Sequence, residues 1–184
     1  MKLRLFGIIV EIKYSFIILL ILNIISKTFR NYNHYYFACY LFILFHEFSH
    51  IFVASLFNCR LKKIEFSLCG MSANIMLNKN KLKNILIFLA GPLANIILFL
   101  IFHENGFISK INIVLGIINL LPIFPLDGYR ILKELKVKTN KLEYILYIII
   151  VLLGIILKNF SMIIFIVYII ILKINNRQTD GFQC

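Results

Sequence analysis

The stretch Phe42–Phe57 reads FILFHEFSHIFVASLF. It is apolar from end to end except at its middle, where two histidines and a glutamate fall within five positions. A run of this kind is long enough and oily enough to lie in lipid, yet a charged side chain at the centre of a bilayer costs about 2.5–3.5 kcal/mol. Reading those three ionisable groups decides what the rest of the chain is for.

The surroundings are equally apolar. Of 184 residues, 61% are hydrophobic and the mean hydropathy is +0.90, against roughly 45–50% apolar residues in a soluble domain. Too few polar residues remain to cover a water-soluble core, so part of the solvent is lipid. The start, MKLRLFGIIVEIKY, is basic and then apolar, but it has no small-residue cleavage site and reads as a retained segment rather than a cleaved leader. The net charge of +12 does not point to nucleic acid, because the basic residues flank apolar runs instead of forming one stripe. Cys39, Cys59, Cys69 and Cys184 show no CxxC spacing and read as packing residues.

The pattern predicts an all-α polytopic membrane protein, residues 1–184 forming a single domain of about six transmembrane helices. The spans fall near 14–26 (with Phe6–Ile12 as a possible extension), 35–57, 82–102, 107–126, 142–157 and 160–174. Arg60–Asn78, RLKKIEFSLCGMSANIMLN, is too interrupted for a span. With Gly70 at its middle and partly alternating apolar residues, it predicts a short strand pair or a re-entrant segment. Six spans would place sixteen of the twenty Lys and Arg residues on one side, leaving Lys27, Arg30, Lys110 and Lys158 on the other. Cytoplasmic loops retain positive charge, so both termini are expected in the cytoplasm. Merging the last two spans would break that split.

On a helix, His46 and His50 are four residues apart and lie one above the other. Both rings can reach one Zn²⁺, and Glu47, at the edge of that face, can reach a water on the metal. Zinc would make the water acidic and polarise a scissile carbonyl; Glu47 would pass the proton to the leaving amine. The plainer account is a helix with two satisfied core histidines and a stray acid, but lipid makes each such group costly.

Catalytic zinc commonly takes three protein ligands. Glu65 lies beside Lys62 and Lys63, where an ion pair accounts for it. His103 and Glu104 fall at the wrong end of the third span, and His34 reads as interfacial. Asp127 is better placed, closing the run INLLPIFPLDGYR from Ile118 to Arg130. Pro122 and Pro125 disfavour regular helix there, and Gly128 permits a sharp turn, so the acid can point into a bundle. Asn119, on the same segment, is a candidate for holding substrate backbone or for plain interhelical bonding. AGPLAN, Ala90–Asn95, reads mainly as close helix packing, with Asn95 a secondary site candidate.

HEFSH in one run and NLLPIFPLDG closing another resemble the site-2 protease family of intramembrane zinc metalloproteases, from about Ile12 to Ile174. The short spacing resembles its sporulation branch. The resemblance implies His46, His50 and Asp127 as ligands of one zinc per chain and Glu47 as catalytic base. Asn119 and Pro125 match motif positions linked to activity, and the loop around Gly70 matches a region that offers an edge strand to substrate. It also implies a multi-pass cell-membrane protein whose substrate is membrane-associated, such as a pro-sigma factor, with inhibitory membrane partners and no nucleic acid. Tyr129 departs from the common LDGG, and neither a PDZ nor a nucleotide-sensing CBS domain is expected. The competing readings are a zinc transporter or metal-sensing membrane protein, and a non-catalytic member of the same fold.

Overall fold

The computed structural model describes residues 2–5, 8–14, 16–18, 21, 33–67, 70–158, 164, 166–171 and 173–174. The chain divides into two compact units, Met1–Asn119 and Leu120–Cys184.

The first unit contains β1 (Lys2–Leu5), β2 (Ile8–Ile12), α1 (Asn33–Leu56), β3 (Leu61–Ser67), β4 (Gly70–Ile75), α2 (Lys81–Ile101) and α3 (Gly106–Asn119). The strands form one sheet in the order β1-β2-β3-β4. The outer pairs are antiparallel hairpins, while β2 and β3 run parallel, which requires a long crossover that here includes α1. The strand pair expected between the second and third spans is present as β3 and β4.

The first strand pair was not expected. Ile8–Ile12 is β2 and not a helical extension of the first span, and the fold is therefore helices plus a four-stranded sheet instead of all-α. Two features explain the difference. Lys2–Leu5 alternates polar and apolar residues with the period of a half-buried strand, and Ile8, Ile9, Val10 and Ile12 are β-branched. The sheet also gives Glu11 partners: it lies opposite Glu65, and Lys63 bridges the two carboxylates at 2.5 and 2.6 Å. Lys13 adds a further pair with Glu65. Lys63 holds the Glu11 carboxyl below its ordinary value. Burial pushes Glu65 upward, but Lys13 and Lys63 outweigh it and hold that carboxyl low as well.

α1 stops where Asn58 takes a left-handed conformation, φ 56°. The Cys59 N–H then reaches back to the Ala54 carbonyl at 2.9 Å and Asn58 to Ser55 at 3.0 Å, the paired bonds that close a helix and turn the chain away. α2 starts on Asn80, whose side chain accepts from the Leu82 N–H at 2.9 Å.

These helices are inside out by the standards of a soluble protein. On α1 the buried row is Phe42, His46, His50 and Ala54, while Phe45, Phe48, Phe52 and Leu56 are exposed. α2 buries Asn84, Gly91 and Asn95, and α3 buries Ser109 and Asn112. Polar groups face inward and large apolar ones outward, which is sensible only in lipid. Phe37–Leu56 and Lys81–Ile101 are long and apolar enough to cross a membrane.

In the second unit, Leu120–Leu126 forms an irregular turn, followed by α4 (Asp127–Glu134) and α5 (Asn140–Ile156). The fourth expected span thus ends as a helix at Asn119, before Pro122, as the prolines require. Residues 164, 166–171 and 173–174 of the sixth expected span are helical. Ile123, Tyr147, Ile166 and Ile169 form the core of this unit. Most of the first expected span, and the remainder of the sixth, lie outside the described residues.

Candidate metal centre

The helical spacing of HEFSH stacks the two imidazoles on the buried face of α1, each 4% exposed. Their Nε2 atoms face each other at 3.2 Å. Each ring is fixed from behind through Nδ1. His50 Nδ1 lies 2.7 Å from the Ile87 carbonyl of α2. A carbonyl only accepts, so this nitrogen carries the hydrogen, and the neutral ring presents a lone pair at Nε2. His46 Nδ1 lies 2.5 Å from Asn95 Oδ1, and Asn95 Nδ2 donates to Asn112 Oδ1 at 2.9 Å. Asn95 and Asn112 are both fully buried.

Gly91 keeps the space beside the rings open. A methyl built there would sit 2.4 Å from His50 Nε2 and 2.6 Å from His46 Nε2. A hydrogen replaces that methyl just where both lone pairs converge. The pair therefore suits a small cation, and imidazole nitrogens with carbonyl-type partners behind them are ordinary zinc donors. Glu47 is the next residue on α1 after His46 and is half-buried.

Asp127 belongs to the second unit and opens α4. It is 5% exposed, and its place in the first helical turn favours a carboxylate, because the unsatisfied N–H groups there carry partial positive charge. Arg130, one turn on, brings Nη1 to 3.7 Å from Asp127 Oδ1. Gly128 is obligatory at this spot: a Cβ would lie 2.1 Å from the Leu120 carbonyl oxygen and 2.6 Å from that of Leu121, both unyielding backbone atoms. The preceding turn holds Pro125, whose peptide bond is cis, and is anchored at Phe124, whose N–H donates to Glu143 Oε1 at 3.1 Å. Glu143 is fully buried. It also accepts from Tyr147 at 2.6 Å and pairs with Lys173.

Within the first unit, His46 and His50 bring two ring nitrogens together; within the second, Asp127 offers a buried carboxylate. Glu65 is committed to Lys13 and Lys63, and His103 and Glu104 are exposed. Asn119 donates Nδ2 to Leu115 O at 2.9 Å within its own helix. Gly70 starts β4. Sequence reasoning missed Gly91, Asn112, Arg130 and Glu143. Two of them left a trace: Asn112 and Glu143 are polar residues within largely apolar helices.

The family model described as Peptidase M50B-like matches residues 14–130, from before α1 into α4. The chain belongs to the M50B peptidase family. A zinc metalloprotease of Methanocaldococcus jannaschii is 32% identical over 152 residues, covering 72% of this chain and 44% of that protein; this M50B chain thus spans under half the length of that curated relative. The solved site-2 protease from Methanocaldococcus jannaschii matches with a TM-score of 0.64 at 25% identity, over 92% of this chain and 91% of that one.

Proposed function

We propose that this M50B chain is a zinc-dependent intramembrane endopeptidase, with His46, His50 and Asp127 as the metal ligands and Glu47 as the catalytic base. The observation that carries this reading is the imidazole pair: two buried rings with Nε2 atoms 3.2 Å apart, each held through Nδ1, beside a glycine that leaves room for an ion. Zinc, when bound, supplies Lewis acidity and lowers the pKa of water. The chain's own residues do the rest. Glu47 accepts the proton of the attacking water and delivers it to the departing amide nitrogen, so charge does not build up on either group. Arg130 balances the Asp127 carboxylate at the start of α4.

The substrate in this reading is a membrane-associated protein, and the sporulation-like motif spacing favours a tethered transcription regulator such as a pro-sigma factor. A helix shields its own peptide bonds, so it must become extended before attack. β4, paired on one side with β3 among the described residues, offers an edge with which an extended segment can pair, and Gly70 begins that strand. Asn119 and Pro125 are assigned as support for substrate or for the Asp127 turn. The distribution of basic residues supports a multi-pass arrangement in the cell membrane, both termini cytoplasmic, with cleavage near that side.

The test is Glu47→Gln, assayed with a membrane-tethered substrate. The variant should keep its zinc and lose about 10²–10⁴-fold in cleavage rate, the range for a positioned general base. Cleavage at the parental rate would remove Glu47 from the mechanism. Zinc flux in proteoliposomes without any proteolysis would replace the protease reading with a transporter.

A further inference from the structure

We propose that Asn112 is a positioning residue that sets, through Asn95, which nitrogen of His46 presents a lone pair to the metal. The inference rests on His46 being a zinc ligand and goes beyond it, because it assigns a role to a residue on a different helix that does not touch the ring.

The direction of the relay can be worked out from its far end. Asn112 Nδ2 lies 2.9 Å from the Ile108 carbonyl, one turn back on α3. That carbonyl has no hydrogen to give, so the nitrogen of the Asn112 amide must face it. The amide oxygen of Asn112 then faces α2, where Asn95 Nδ2 donates to it at 2.9 Å. This fixes the Asn95 amide in turn, with Oδ1 directed at His46 Nδ1, 2.5 Å away. An acceptor there requires a hydrogen on Nδ1. The neutral ring is therefore the Nδ1–H tautomer, with its lone pair at Nε2, the nitrogen facing His50.

Running the chain backwards fails. If Asn95 presented its nitrogen to His46, its oxygen would meet the Asn112 oxygen. Turning Asn112 to relieve that would set its oxygen against the Ile108 carbonyl. Both amides are fully buried, so no water can absorb the mismatch. The backbone of α3 thus specifies the tautomer of a ring on α1 through two side-chain amides. His50 needs no relay, because its Nδ1 meets the Ile87 carbonyl directly.

The proposal makes opposite predictions for two substitutions of similar size. In Asn112→Leu the Asn95 amide loses its fixed direction and can turn its nitrogen toward His46, favouring the Nε2–H tautomer, which cannot ligate. In Asn112→Asp the buried carboxyl, protonated, can donate to Ile108 and accept from Asn95, as the amide does. Zinc affinity is measured on detergent-purified full-length protein by chelator competition, with the visible spectrum of the Co²⁺-substituted protein as a second readout. Asn112→Leu should weaken zinc by about 10–100-fold, the usual effect of losing a partner behind a metal-binding histidine, and should alter the Co²⁺ spectrum. Asn112→Asp should match the parent in both. Equal zinc binding by both variants, or equal loss in both, would overturn the relay. His46→Ala is run alongside: full zinc retention there would instead overturn the metal reading on which the relay rests.

Discussion

The His46–His50 region and the Asp127 region hold their groups in contrasting ways. The histidines stand on a regular helix. Their spacing comes from the helical repeat, and only their far nitrogens need outside help, from Ile87 and Asn95. Asp127 follows seven residues of irregular turn, and its position depends on a glycine that admits the backbone of Leu120 and on a buried carboxylate 19 positions from Phe124. The comparison teaches that a helix can place two donors with local information, whereas an acid beyond a broken helix must be held by groups far along the chain.

Removing a donor from either region should have the largest effect. If both regions serve one metal, His50→Ala and Asp127→Ala should each lower the zinc content of purified protein from about one per chain toward zero and abolish cleavage. Stoichiometric zinc in Asp127→Ala, measured by elemental analysis, would break the pairing of the two regions and point to another third ligand.

Next comes the anchor of the Asp127 turn. Glu143→Leu leaves the largely covered Lys173 ammonium, its side chain 13% exposed, without its counter-charge, which should cost about 3 kcal/mol in denaturant unfolding, the lower end for a broken buried pair. The double change Glu143→Leu with Lys173→Leu should recover most of that stability. It should not recover activity, because the Phe124 N–H still lacks its acceptor. Full activity in the double variant would show that the turn needs no such anchor.

The two glycines sharpen the contrast. Gly128→Ala forces a methyl into rigid backbone and should destabilise the protein by about 3 kcal/mol, the upper part of the overpacking range. Gly91→Ala meets two imidazole edges instead. It should spare most of the fold while weakening zinc about tenfold or more by chelator competition, since it disturbs the rings as loss of their supporting partners would. Equivalent behaviour of the two variants would erase the distinction between the regions.

The smallest effect should lie in the sheet, away from both. Glu11 and Glu65 have carboxyls held below the ordinary carboxylate value by lysines. A carboxyl depressed in the folded state stabilises it above the unfolded value and loses that contribution as pH falls through the folded one. Hydrogen exchange in β2 and β3, corrected for the intrinsic rate, should therefore accelerate below about pH 4.3, the ordinary glutamate value, with α2 unaffected. Lys63→Met should remove part of that pH dependence.

Much of this molecule was legible in its residues. HEFSH announced a donor pair because four-residue spacing on a helix is a geometric fact, and the proline-rich run announced a broken helix because proline lacks an N–H. The N-terminal strands were harder to read. Ile8–Ile12 is nearly as apolar as a piece of span, and its β-branched residues act together with pairing to β1 and β3 and with the Lys63 bridge between Glu11 and Glu65 to make it a strand. Glu143 and Asn112 were visible as polar residues in apolar runs, but no pattern named their partners.

The sequence by itself determined the chemistry on offer: two imidazoles and a neighbouring carboxylate on one helix, in a chain too apolar for water. Tertiary structure alone decided how those groups are oriented. The Asn95 amide meets a ring 49 positions earlier, and Lys173 meets a carboxylate 30 positions earlier. Spacing along a helix follows from its repeat, but the direction of a buried hydrogen bond depends on which helix packs behind it.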